Sequence, residues 1–125
     1  CLLINQYRYP TKEILLEIPA GTCEPNELPI ETAAREIREE TGYSAGNLVH
    51  IGGTWMAPGF CTEYIDYFVA STLSYNPLPQ DQDEFISEPV KVTFDEMISL
   101  ISSGKIKDAK SIVGLMLYQI YTSSK

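Results

Sequence analysis

Histidine and cysteine are scarce in this chain, with one His and three Cys in 125 residues. The single imidazole, His50, falls in an apparent strand. A Ser-His-Asp or Cys-His mechanism therefore has little to stand on, zinc lacks the nitrogen and sulfur ligands it prefers, and His50 is read as structural. Cys1, Cys23 and Cys61 form no C-x-x-C pair and are odd in number, so reduced thiols and a cytoplasmic setting are expected rather than a disulfide framework. Basic side chains are also few: 9 Lys and Arg stand against 17 Asp and Glu, for a net charge of −8 and a pI near 4.5. That balance argues against nucleic acid or an anionic membrane as partner. No apolar run approaches the roughly 20 residues that cross a bilayer, no signal-peptide layout is read at the start, and no repeat or low-complexity segment appears.

What is present is ordinary globular composition, 44% hydrophobic and 21% charged, at a length that suits one domain over residues 1–125. The chain opens on Cys1 with strand-like sequence directly behind it, so an N-terminal segment is expected to precede it. Residues 2–8 and 13–18 read as strands joined by a turn at Pro10-Thr11. Residues 47–55 read as a strand whose Gly52-Gly53 pair implies a bulge or a close backbone approach. After a loop over Met56–Thr62, residues 63–73 alternate, with Tyr64, Asp66 and Phe68 on one face and Ile65, Tyr67 and Val69 on the other. Residues 74–84 form a Pro-rich acidic loop, and a strand lies near 89–93. Thr93 and Glu96 predict a capping box for a helix running to about Ser103, stopped by Gly104. Asp108 predicts the N-cap of a last helix with Ile112, Val113, Met116, Leu117 and Ile120 as its core face. A mixed sheet packed by helices, an α/β sandwich, fits this order.

The segment 21–43 carries the chemistry. Pro29 suits the first turn of a helix and Gly42 its left-handed end. Between them Ile30, Ala33, Ala34 and Ile37 make a narrow apolar stripe. Glu36 and Glu40 lie four apart, with Glu39 three from Glu36, so their carboxylates converge on one face. Like charges at that spacing repel unless something positive sits among them. Hard divalent cations such as Mg2+ take oxygen ligands of this kind and keep waters for a phosphate substrate.

Gly21, Glu27, Arg35, Glu36, Ile37, Glu39, Glu40, Gly42 and Tyr43 fill every position of the pattern G-x5-E-x7-R-E-U-x-E-E-x-G-U, with U bulky and apolar. This resembles the Nudix box, the signature of hydrolases that cleave a nucleoside diphosphate linked to another moiety. The resemblance implies the Nudix α/β/α fold, with the Ala20 carbonyl, Glu36, Glu39 and Glu40 holding two or three Mg2+ ions, or Mn2+ in their place. Arg35 would orient the glutamates, and Glu27 would brace the loop or the metal shell.

Three further features resemble the ADP-ribose pyrophosphatase branch. Pro58 lies sixteen residues after Gly42, Gln6-Tyr7-Arg8 stands where those enzymes carry a Q-Y-R segment, and residues 104–109 match a G-x-I-x-D-A stretch. The branch implies hydrolysis of ADP-ribose to AMP and ribose 5-phosphate, and a homodimer. Arg8, with Gln6, would meet a phosphate or ribose oxygen, and Pro58, Gly59 and Phe60 would frame the terminal ribose or a base. The catalytic base would come from the acidic run 81–84, with Glu84 favoured over Asp81 and Asp83. Two alternatives stand beside this reading. One is a Nudix hydrolase of a nucleotide sugar, NADH or a dinucleoside polyphosphate; the other is a non-catalytic sensor of ADP-ribose-like ligands.

Overall fold

The computed structural model of the chain describes residues 1–82 and 87–125. In chain order the elements are β1 (Leu2–Arg8), β2 (Glu13–Glu17), α1 (Pro29–Thr41), β3 (Tyr43–Trp55), β4 (Tyr64–Tyr75), β5 (Val90–Lys91), α2 (Phe94–Ser102) and α3 (Ala109–Ser123). The α/β architecture expected from the sequence is what the chain adopts, as three helices and two sheets. The ladders formed by the described residues are antiparallel. β1 lies between β2 and β5, with Ile4 opposite Glu17, Arg8 opposite Glu13 and Leu3 opposite Val90, while β3 and β4 form a long separate hairpin.

Local chemistry accounts for the joints. The β1–β2 turn falls at Pro10-Thr11, closed by the Lys12 amide donating to the Arg8 carbonyl at 2.9 Å. Pro29 opens α1, where its missing N–H costs nothing, and the amide of Leu28 donates to the Glu31 carboxylate at 2.8 Å. Gly42 ends α1 at φ 82°, a left-handed conformation that costs glycine no Cβ strain, and its N–H returns to the Arg38 carbonyl. The chain then enters β3 at once, because Tyr43 is already paired with Tyr75. The strand thus begins four residues before the predicted Asn47: Ser44, Ala45 and Gly46 carry little strand propensity, and the cross-strand partners supply the order. The predicted irregularity at Gly52 is a register shift between His50 and Gly52, and a Cβ on Gly52 would stand 3.2 Å from the Leu117 side chain of α3.

The capping box of α2 is formed as predicted: the Glu96 amide donates to Thr93 Oγ1 at 3.1 Å, and the Thr93 amide donates to Glu96 Oε2 at 2.7 Å. Asp108 caps α3 by accepting from the Ser111 amide. Leu3 from β1, Met97 from α2, Ile106 from the α2–α3 turn and Leu115 from α3 are the buried centre of the core.

The face that α3 buries is not the predicted one. Its buried residues are Lys110, Ser111 and Leu115, whereas Ile112, Met116 and Ile120 are exposed. The helix turns inward the face on which Lys110 meets the buried Glu17 at the end of β2 and Ser111 meets the Ile18 amide, and those pairings override the hydrophobic stripe.

Candidate active site

A helix normally buries its apolar face, but α1 buries Thr32, Glu36, Glu40 and Thr41 while Ile30 is 44% exposed. Burying carboxylates is unfavourable unless each is compensated. The compensation begins with Arg35. Its Nε and Nη2 donate to the two oxygens of Glu27, both at 2.9 Å, and its Nη1 donates to Glu36 at 2.9 Å and to Glu39 at 3.0 Å. Nη2 also reaches the carbonyl of Thr22. One guanidinium thus collects three carboxylates and the loop that precedes the helix. Glu40, 2% exposed, accepts from the Ala20 amide at 2.9 Å, tying that loop to the other end of the same face.

Glu27 is the hub of the loop. Besides Arg35 it accepts from the Thr32 hydroxyl at 2.6 Å and from the Glu24 amide at 3.1 Å. The Arg35 guanidinium, then Thr32, hold its carboxyl down at about 2, well below the usual 4.5. The same contacts push the Arg35 guanidinium up. A depressed carboxylate stabilises the fold above its ordinary pKa and loses that contribution as pH falls through the folded value. The stability difference between the native chain and Glu27→Gln should therefore be full above about pH 4.5 and shrink as pH falls toward about 2. Denaturant midpoints of both proteins across that window read it directly. A difference independent of pH would remove Glu27 from this role.

Gly21 lies against the helix so closely that a Cβ there would sit inside the Glu36 carboxylate. Loop and helix face together wall a cleft of about 600 Å³. The loop 20–25, Arg35 and Glu36 line it together with Gln6, Arg8, Asp108 and Lys110 and with Met56, Glu63, Ile65 and Asp81. Gln6 and Arg8 alternate along β1 and so share a face.

The structure therefore brings together Gln6, Arg8, Ala20, Arg35, Glu36 and Asp81, with Glu27 and Glu39 joined to them through Arg35. Glu39 and Glu40 are not in that lining; they line a second cleft together with Arg38, Tyr43 and Tyr75. Pro58, Gly59 and Phe60 are not in the cleft lining; Phe60 is 88% exposed on a turn whose flanks, Met56 and Glu63, do reach the cleft. Asp83 and Glu84 lie outside the described residues. His50 sits on the β3–β4 hairpin, 2.9 Å from Asp66.

Sequence reasoning missed Glu17 and Lys110. Glu17 is fully buried, takes both Nε and Nη2 of Arg8 at 2.8 and 2.7 Å, and is also held by Lys110. The usable signal was an acid at the end of the apolar stretch Ile14-Leu15-Leu16, directly ahead of the Pro19-Ala20-Gly21 loop. A lysine in the first turn of a helix carries no such mark.

The carboxylates of α1 and the backbone carbonyls of the loop are donors that suit a hard divalent cation, and the loop approaches the helix through a glycine. Among the described residues no three acidic, His or Cys side chains are already gathered around one point, because Arg35 holds the positive position between Glu27, Glu36 and Glu39. Chemistry fits; the present arrangement is the arginine-bridged one.

Comparison with known proteins agrees with the box. The NUDIX domain model matches residues 1–112. The chain is 36% identical over 121 residues to an ADP-ribose pyrophosphatase of Bacillus subtilis, covering 95% of this chain and 65% of that protein. It is 39% identical over 129 residues to a GDP-mannose pyrophosphatase of Yersinia enterocolitica, covering 96% and 66% respectively. The crystal structure of an ADP compounds hydrolase superposes with a TM-score of 0.89 at 26% identity, over 98% of this chain and 66% of that one. The chain thus spans about two thirds of the length of these relatives. With the complete motif, the fold and the family model in agreement, this chain belongs to the Nudix family.

Proposed function

We propose that the chain is the hydrolytic domain of a metal-dependent pyrophosphatase that cleaves ADP-ribose to AMP and ribose 5-phosphate. The observation that carries this reading is the arginine-centred cluster beside the cleft: Arg35 and Glu36 line it next to Gly21, and Glu27 and Glu39 are tied to them through the same guanidinium. Members of the family typically depend on a divalent metal. An anionic diphosphate entering this wall alone would meet repulsion of about 4 kcal/mol per charge pair at 4 Å and an effective dielectric of 20. Glu36, Glu39, Glu40 and the Ala20 carbonyl are the groups that would hold the metal, which when bound supplies positive charge to the diphosphate and acidifies water.

The chain's own residues do the rest. Arg35 keeps the glutamates at fixed separations, and Glu27 braces the loop through Glu24 and Thr32. Arg8, a planar fork lining the same cleft, meets a phosphate or ribose oxygen. The acidic run at 81–84 provides the base that takes the proton of the attacking water; Asp81 lines the cleft, and Glu84 remains the first residue to replace.

Support for ADP-ribose comes from Arg8 and Pro58, which resemble that branch without reading the base, and from the Bacillus subtilis relative, while the Yersinia enterocolitica relative favours a nucleotide sugar. Parallel turnover of ADP-ribose and GDP-mannose, with products separated by chromatography, decides between them. A kcat/KM at least tenfold higher for ADP-ribose is the expected result, and the opposite order would transfer the proposal to the sugar nucleotide.

A further inference from the structure

Behind Arg8 lies a network of three further charges, Glu17, Lys110 and Asp108, that the hydrolytic reading does not by itself explain. Glu17 is completely buried, and a buried carboxylate is tolerated only when its lone pairs are filled. Arg8 fills them from one edge, through Nε on one oxygen and Nη2 on the other. Lys110, only 7% exposed, holds the oxygen that Nη2 also uses. Lys110 is in turn fixed by Asp108 at 2.8 Å, whose carboxylate also accepts from the Ser111 hydroxyl at 2.6 Å. That hydroxyl accepts from the Ile18 amide at 2.9 Å, which closes the circuit from the end of β2 to the start of α3.

The consequence falls on Arg8. A guanidinium is planar with five N–H donors, so committing its Nε–Nη2 edge to Glu17 leaves the opposite edge free to meet an anion. Among the described residues no hydrogen bond engages its Nη1. The side chain is 40% exposed and lines the cleft. An arginine held only at a half-exposed pair would sample many rotamers. One whose partner carboxylate is locked from behind is ordered before the ligand arrives, and ordering in advance lowers the cost of binding.

We propose that Lys110 is a positioning residue, which locks the Glu17 carboxylate and thereby aims the free edge of Arg8 at a phosphate oxygen in the cleft. This rests on the reading that the cleft takes a diphosphate. Its test uses inorganic pyrophosphate binding, so it needs no turnover.

The experiment is a double-mutant cycle by calorimetry in magnesium, with the native chain, Lys110→Met, Arg8→Met and the double variant, each checked for a cooperative thermal transition. Lys110→Met should weaken pyrophosphate binding by about tenfold, as loss of a supporting partner behind a ligand-holding side chain typically does. Arg8→Met should weaken it at least as much, and the double variant no further than Arg8→Met alone. Lys110→Arg, which keeps the cation, should restore most of the affinity and guards against a folding failure of the Met variant. Equal losses from Lys110→Met on both backgrounds would overturn the proposal, because Lys110 would then act as a remote charge or fold support. Pyrophosphate binding the native chain no more tightly than Arg8→Met would overturn it too. Failure of ADP-ribose turnover in the native chain, with the cycle intact, counts against the proposed substrate alone.

Discussion

Glu36→Gln is expected to lower kcat/KM for ADP-ribose by about 100- to 1000-fold, the scale seen when one electrostatic group that stabilises a transition state is removed. The substitution keeps volume and shape. Gln still offers an oxygen to Arg35 Nη1, now 2.9 Å from Glu36, and still fits against Gly21. It removes one negative charge from a cluster that already holds Glu27 and Glu39 around the same guanidinium. Relieving repulsion at helical spacing is mildly stabilising, so the thermal midpoint should hold or rise. Rate and stability therefore move apart. Steady-state kinetics beside scanning calorimetry reads both, and a fall in midpoint parallel to the fall in rate would show Glu36 to be a structural carboxylate.

Arg35→Met is the converse case. Here the three carboxylates stay and their shared cation goes. Removing the shared cation of this part-buried network leaves three carboxylates uncompensated and costs about 3 kcal/mol, the low end of what breaking a fully buried pair costs. For a domain of this size a loss of about 3 kcal/mol lowers the thermal midpoint by roughly 10 °C. Magnesium should then raise the midpoint of the variant more than that of the native chain, because a dication can take over the neutralising role. This readout needs no substrate. A variant as stable as the native protein, or one indifferent to magnesium, would show that the carboxylates do not depend on a shared positive charge.

Much of the site was legible because the box is a contiguous segment with fixed spacing. Proline, glycine and the i, i+3 and i, i+4 relations of Glu36, Glu39 and Glu40 state the helix, its ends and its acidic face within a few turns. The capping residues Thr93 and Asp108 were legible for the same reason, since caps depend only on neighbours three residues away. What failed to show was long-range. Glu17 and Lys110 are 93 residues apart, and their pairing follows from how the first turn of α3 meets the end of β2, which no local pattern records. The same contact explains why the hydrophobic stripe of α3 misled: Ile112, Met116 and Ile120 recur at helical spacing, yet the helix rotates to bring Lys110 and Ser111 to their buried partners. The α1 stripe carries a related lesson, since the face the sequence marks as chemical is also the one the fold buries. Pro58 was found by its distance from Gly42, but spacing along a loop does not say which side chains reach the cleft. Met56 and Glu63, at its flanks, are the ones that do.

The central claim is that these carboxylates are gathered to work on a diphosphate with a divalent cation. Hydrolysis of ADP-ribose, followed by chromatographic detection of AMP and ribose 5-phosphate, in excess magnesium and again after chelation with EDTA, tests it most directly. The account predicts stoichiometric release of both products with magnesium, abolition by chelation and recovery when magnesium or manganese is restored. Turnover that persists undiminished in EDTA, or the lack of any cleavage of a nucleoside diphosphate derivative with magnesium present, would contradict it.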